Sequence, residues 1–98
     1  MKYEFHPDAR LEYLDAVSFF EKRRRGLGAL FMEEIHTALT FIAEFPKRNR
    51  IEVQPNIRVH VNTRFPYQIF YREIKVDLIQ ILAVAHTSRR PKYWNYRL

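Results

Sequence analysis

Between Ile57 and Arg64, apolar and polar side chains alternate along the chain. Successive side chains of a β-strand point to opposite faces, so this period of two predicts a strand with one apolar and one polar face. The apolar face carries Ile57, Val59, Val61 and Thr63. The polar face carries Arg58, His60, Asn62 and Arg64. No other pattern in the sequence is as restrictive, because a register shift of one residue would exchange the two faces.

Two further runs are typical of β-structure. Tyr67 to Glu73 is rich in aromatic and β-branched residues, and Asp77 to Ala85 is almost continuously apolar. A strand that is apolar throughout is usually covered on both faces. The gaps between the runs are short, and short connections favour antiparallel neighbours. We therefore predict a three-stranded meander, with a short edge strand over residues 51–53 before it.

The first half of the chain predicts one short strand and two helices. Residues 2–5 suit a strand, and apolar side chains then recur at helical spacing over residues 7–25 and 27–45. The second helix has the more regular apolar stripe. Gly26 and Gly28 are the only glycines in the chain, and we expect both to be needed for a tight turn between the helices.

These elements predict a single α+β domain over residues 1–98, with the order β-α-α-β-β-β. A helical hairpin should pack on one face of a small antiparallel sheet. Buried residues of the second helix should include Ile35, Leu39 and Ile42. We expect the apolar face of the first run, Ile57, Val59 and Val61, to point towards that helix. Arg58 and His60 should then point away from the helices, and Trp94 should dock back on the body.

Composition excludes several classes of protein. The chain has no cysteine, which rules out disulfides and thiolate metal sites. No two of its four histidines have a metal-ligand spacing, no Gly-rich phosphate loop is present, and neither serine lies in a nucleophile motif. We therefore expect no metal and no cofactor. The absence of a long apolar run and of a signal-peptide core predicts no membrane association and a cytoplasmic location.

The net charge of +6 is distributed unevenly. Residues 1–46 contain 6 Lys or Arg and 8 Asp or Glu, a balance of −2. Residues 47–98 contain 11 Lys or Arg and 3 Asp or Glu, a balance of +8. The positive electrostatic potential of residues 47–98 would attract polyanions or an acidic protein partner. Residues 47–98, which we call the sheet half of the chain, are therefore predicted to bind the partner.

Residues 22–25 form a run of four cations at the end of the first predicted helix. Cations near a helix C-terminus stabilise its last carbonyl groups. Contact with a nucleic acid is the alternative interpretation, and the run by itself favours the helix-end role.

The basic sheet half permits two kinds of activity. Its candidate partner-binding residues are Arg58, His60, Arg64, Arg72, Arg89, Arg90 and Lys92. A basic set of this kind could also cleave RNA without metal, given a general acid or base and a group that stabilises phosphate charge. The residue types favour binding, because basic surfaces outnumber catalytic ones.

The order of elements and three short motifs resemble the RelE/ParE toxins of bacterial toxin–antitoxin pairs. Phe5-His6-Pro7-Asp8-Ala9 resembles the start of the family's first helix. Residues 65–71, FPYQIFY, resemble its third strand. Residues 81–86, ILAVAH, followed by Arg89 or Arg90, Pro91 and Tyr93-Trp94, resemble the closing motif of the ParE-like plasmid stabilisation members. The resemblance in the order of elements covers nearly the whole chain.

This resemblance implies a toxin that is neutralised by a cognate acidic antitoxin. RelE-like members cut mRNA on the ribosome, and ParE-like members poison DNA gyrase. The RelE-like pattern has an arginine where this sequence has Gln68, and Thr87 lies close to another expected arginine. The resemblance therefore favours a non-enzymatic ParE-like gyrase inhibitor. In the alternative, a metal-independent and ribosome-dependent endoribonuclease, the catalytic residues would be His86, Arg64 and Tyr93.

Overall fold

The computed structural model describes all 98 residues, Met1–Leu98. Its elements in chain order are β1 (Lys2–Phe5), α1 (Pro7–Arg23), α2 (Leu27–Glu44), β2 (Ile51–Val53), β3 (Ile57–Val61), β4 (Tyr67–Lys75), β5 (Leu78–His86) and a C-terminal 3₁₀ helix (Tyr93–Arg97). This confirms the predicted α+β fold with two helices packed against a sheet. Neither α-helix has the length and apolar character needed to cross a membrane.

The five strands form one sheet in the order β1-β5-β4-β3-β2. Strands β2 to β5 are antiparallel neighbours, as the meander predicts. Strand β1 instead pairs parallel with β5, from Lys2 opposite Leu78 to Phe5 opposite Ile81. The sheet is therefore not wholly antiparallel. The reason is that β1 is joined to the meander through the whole helical hairpin, and only a long connection can bring parallel strands together.

Both faces of the sheet are covered, each by its own apolar cluster. The larger cluster lies under the helices, where Ile35, Leu39 and Ile42 are buried as predicted. The smaller cluster lies on the opposite face around Trp94, which is 1% exposed and packs against Phe70 with ring centroids 5.0 Å apart. The prediction that Trp94 docks on the body is confirmed. The C-terminal segment thus serves as the second cover of the sheet.

The predicted orientation of β3 is wrong. Ile57 and Val59 belong to the Trp94 cluster, on the face away from the helices. The His60 ring lies 5.5 Å from the ring of Phe41 on α2, so the polar face of β3 points towards the helical side. Alternation defines two faces but does not say which one the helices cover. Because the C-terminal segment covers the second face, the apolar side of β3 can be buried there instead.

The prediction that both glycines serve the turn between the helices holds for Gly26 only. Gly26 has a φ of +87°, a left-handed conformation that side chains rarely adopt. Gly28 lies inside α2, where a Cβ atom would be 2.9 Å from the carbonyl oxygen of Val17 on α1. Gly28 therefore permits the close approach of the two helices and is not a turn residue. The Glu21 carboxylate accepts from the backbone N–H groups of both glycines at 3.1 Å.

Candidate functional site

The largest cleft, of about 490 Å³, lies between α1 and the C-terminal end of β5. Helix α1 contributes acidic and apolar side chains, and the segment after β5 contributes basic ones. The lining residues are Asp8, Leu11, Glu12, Asp15, Ala16, Phe19, Tyr67, Val84, His86, Arg89 and Arg97. Leu11 and Phe19 are 58% and 52% exposed, so the cleft offers apolar contacts as well as charge. This mixture suits a protein segment better than a small metabolite.

The floor of the cleft is a polar network centred on Glu12. Its carboxylate accepts from the backbone N–H of Val84 at 2.9 Å and from the Arg97 guanidinium at 3.0 Å. Arg97 also donates to the carbonyl of Leu82 at 2.8 Å. Hydrogen bonding to Glu12 helps to keep Arg97 positively charged, against the effect of its burial. Glu12 and Arg97 therefore neutralise one another and leave little charge for a ligand.

Tyr93, a candidate catalytic residue, is part of the same network. Its hydroxyl donates a hydrogen bond to Glu12. Burial, this hydrogen bond and the Glu12 charge together raise the pKa of Tyr93 far above its ordinary value. The phenol is therefore protonated at neutral pH. The Arg89 guanidinium lies 4.0 Å from the centre of the Tyr93 ring, in cation–π contact.

His86, the candidate acid or base, lies at the end of β5. Its Nδ1 accepts from the backbone N–H of Ser88 at 3.0 Å, and the Ser88 hydroxyl is 2.7 Å from the same nitrogen. An imidazole that accepts at Nδ1 carries its proton on Nε2 when it is neutral. In this arrangement the Nε2–H can donate a hydrogen bond. The nitrogen that could act as a base is already occupied by Ser88.

The three candidate catalytic residues are only partly brought together. His86, Arg89 and Tyr93 line one small pocket together with Gln68, the neutral residue at the position of the RelE-like arginine. Arg64 does not line it; its guanidinium pairs with Glu34 of α2 at 3.2 Å. The positive side chains of this pocket are therefore Arg89, Arg90 and Lys92 rather than Arg64, and the Arg89 guanidinium contacts the Tyr93 ring.

Two of the predicted partner-binding residues lie in the helix-facing part of the molecule. Arg58 donates to the carbonyl of Asn49 at 2.6 Å. His60 Nδ1 lies 3.1 Å from the Asn49 side-chain amide, and burial lowers the pKa of His60. A lowered pKa means that His60 is neutral at pH 7. Both side chains hold the loop after α2.

The other predicted partner-binding residues lie nearer to solvent. Arg72 is half-buried and donates to Gln80 at 3.2 Å. Arg64, Arg89, Arg90 and Lys92 are exposed. Lys92 has a φ of +58°, which places it at the left-handed turn that leads into the 3₁₀ helix. These four exposed cations therefore lie in the β3–β4 loop and in the segment that follows β5.

The sequence matches the family described as "ParE toxin of type II toxin-antitoxin system, parDE" over residues 3–91. The chain belongs to the ParE toxin family. The matched range contains both α-helices and all five strands except the first residue of β1, but ends before the 3₁₀ helix. A search of the curated proteins found no match to this sequence.

Membership of the ParE toxin family gives the general role of the chain. It is the toxin of a type II toxin–antitoxin system, and its partner is a cognate antitoxin. The Glu12–Arg97 network was not foreseen from the sequence, because Glu12 is one of several acids in α1 and Arg97 follows the last recognisable motif. No signal in the sequence pairs them; the folded chain brings them together across the sheet edge.

Proposed function

We propose that this ParE-family toxin acts in the cytoplasm by binding and inhibiting DNA gyrase, without a catalytic step of its own. The hydrogen bond from the Tyr93 hydroxyl to Glu12 is the observation that carries this proposal. A phenol that is engaged in this way, with a raised pKa, is poorly placed to assist proton transfer at an RNA phosphate.

The other candidate catalytic groups support the same proposal. Metal-free RNA cleavage needs a base for the 2′-hydroxyl and a cation on the phosphate at the same point. His86 has its Nδ1 occupied by Ser88, and Arg64 pairs with Glu34. Gln68 is neutral and cannot supply an arginine's charge. Ribosome-dependent mRNA cleavage remains the alternative function, in which Arg89 would have to stabilise the phosphate.

We further propose that the cognate antitoxin neutralises the toxin with an acidic, amphipathic segment. The electrostatic attraction comes from four exposed cations of the sheet half: Arg64, Arg89, Arg90 and Lys92. Leu11 and Phe19 in the neighbouring cleft supply apolar contact area for the affinity. The charge would accelerate association, and the apolar contacts would slow dissociation.

The test is to induce the toxin in bacteria and to follow DNA replication and translation separately. We expect replication to stop first. Purified toxin should block supercoiling by gyrase and leave ribosome-bound mRNA uncut. His86→Ala should leave toxicity largely intact, because the proposed mechanism needs no acid or base.

The matched control is the same variant in an antitoxin-binding assay, which shows that the His86→Ala chain is folded. If His86→Ala abolishes toxicity while antitoxin binding is retained, the ribonuclease alternative replaces the proposal. Cut mRNA with unaffected gyrase would lead to the same conclusion.

A further inference from the structure

The cationic run at residues 22–25 is not used by the proposed function. It spans the last turn of α1 and the connection to α2, and its four side chains are all exposed: Lys22, Arg23, Arg24 and Arg25. None of them takes part in the four ion pairs of the molecule. The one carboxylate in this segment, Glu21, is committed to the backbone of Gly26 and Gly28. The run therefore carries four positive charges, none of them in an ion pair, beside the single carboxylate of Glu21.

The fold places this turn at the same end of the molecule as the cations that follow β5. The Phe20 ring lies 5.9 Å from the ring of Tyr67, which in turn lies 5.3 Å from the ring of His86. Phe19 and Arg89 line the same cleft, and the Arg23 guanidinium lies 5.3 Å from the Phe19 ring. Two basic segments that are far apart in the sequence therefore flank one cleft.

The second segment forms no ion pairs either. Arg89, Arg90 and Lys92 are exposed, and none of them forms an ion pair. With the four cations of the turn, they make seven unpaired positive side chains at one end of a chain whose largest dimension is 39 Å. We name residues 22–25 and 89–92 together the basic end. A helix-end role accounts for a cation in the last turn of α1, but it does not account for the second segment.

We propose that the basic end binds the phosphate backbone of duplex DNA, without regard to base sequence. Exposed Lys and Arg side chains that lack carboxylate partners are the groups that exchange with counterions on DNA. The arginines can also contact phosphate oxygens in a bidentate way. Seven exposed cations without ion-pair partners at one end of the molecule match the repeated phosphates of a duplex, which favours DNA over a partner with a few carboxylates.

This inference does not depend on gyrase being the target, because it concerns DNA alone. It adds a consequence to the proposed function if both hold. A toxin that contacts DNA through its basic end would meet gyrase preferentially where the enzyme is bound to DNA. An acidic antitoxin on Arg89, Arg90 and Lys92 would compete with DNA for one half of the same surface.

The experiment measures binding of the full chain to a short fluorescent DNA duplex of arbitrary sequence by anisotropy, over a range of salt concentrations. One variant, Arg23→Gln/Arg24→Gln/Arg25→Gln, removes three charges from the basic end. The matched control, Lys2→Gln/Lys47→Gln/Lys75→Gln, removes three exposed charges from the opposite end of the sheet. Lys2 and Lys75 are there, since both pair with Leu78 at the start of β5.

We expect the basic-end variant to bind more weakly, with a slope of log K against log salt reduced in magnitude by about 3. The control should keep a slope close to that of the parent chain. The proposal is wrong if both variants lose the same affinity, or if the parent chain does not bind the duplex at low salt. It is also wrong if the basic-end variant loses affinity for polyglutamate but not for DNA, because the surface would then recognise an acidic protein. Circular dichroism of each variant checks that it is folded.

Discussion

Arg97 Nη1 lies 3.0 Å from Glu12 Oε1, and this ion pair joins two residues that are 85 positions apart in the chain. Arg97 is buried and Glu12 is largely shielded from solvent, with 5% and 12% of their side-chain surface exposed. Strand β1 ends opposite Ile81, so the outer edge of β5 beyond that point has no strand partner. Glu12 accepts from the N–H of Val84 there, and Arg97 donates to the carbonyl of Leu82. Side chains thus supply the hydrogen bonds that this edge of β5 does not receive from a neighbouring strand.

The first prediction concerns this ion pair. Arg97→Met should lower the free energy of unfolding by about 3–5 kcal/mol, because it leaves the buried Glu12 charge without its partner. Adding Glu12→Gln should recover part of the loss, since Gln still accepts from Val84 and carries no charge. Denaturant titration measures both effects. The control is Arg50→Met, which breaks an exposed pair with Glu52 and should cost less than about 1 kcal/mol. Equal losses for Arg97→Met and Arg50→Met would contradict the prediction.

The second prediction tests the core of the helical hairpin. Leu39→Ala should lower the free energy of unfolding by about 2–5 kcal/mol, because Leu39 is 5% exposed and its truncation leaves a cavity. Leu14→Ala is the matched control on α1, where the side chain is 43% exposed, and it should cost no more than about 0.5 kcal/mol. Thermal or chemical unfolding distinguishes the two. A Leu39→Ala chain as stable as the parent would mean that α2 does not pack as described.

The third prediction concerns pH. Burial lowers the pKa of His60 below its ordinary value of 6.5, so the unfolded chain binds this proton more readily than the folded chain. The stability due to neutral His60 is therefore complete above pH 6.5 and is lost as the pH falls below that value. Unfolding titrations at several pH values should show this loss in the parent chain and a smaller loss in His60→Gln. His36→Gln changes an exposed histidine of α2 and should keep the parent's dependence. A His60→Gln profile identical to the parent's would rule out His60 as the cause.

The fourth prediction concerns the antitoxin. If the exposed cations Arg89, Arg90 and Lys92 attract an acidic segment, raising the salt concentration should slow association far more than it speeds dissociation. Stopped-flow or surface-based kinetics with the cognate antitoxin measures both rates. Phe19→Ala should have the opposite signature, with faster dissociation and little change in association. An association rate that does not change with salt would show that these cations do not attract the antitoxin electrostatically.

Much of the fold could be predicted because local patterns are strong. The apolar stripe of α2, with Ile35, Leu39 and Ile42, identifies a buried helix face. Alternation between Ile57 and Val61 identifies a strand. The three quoted motifs, in their order, indicated the toxin family that the match over residues 3–91 then established. Each of these conclusions depends on residues that are close together in the sequence.

What the sequence by itself determined is which residues form helices and strands, which side chains share a face, and to which family the chain belongs. The tertiary structure alone decided that His60 faces α2 and that Ile57 faces Trp94, because alternation is symmetric between the two faces of a sheet. It also decided that Glu12 meets Arg97 and that Phe19, which Arg23 contacts, lines the same cleft as Arg89. These contacts join segments that are distant in the sequence. They depend on how the hairpin and the C-terminal segment pack on the sheet, and the local periodicity of the sequence does not encode that packing.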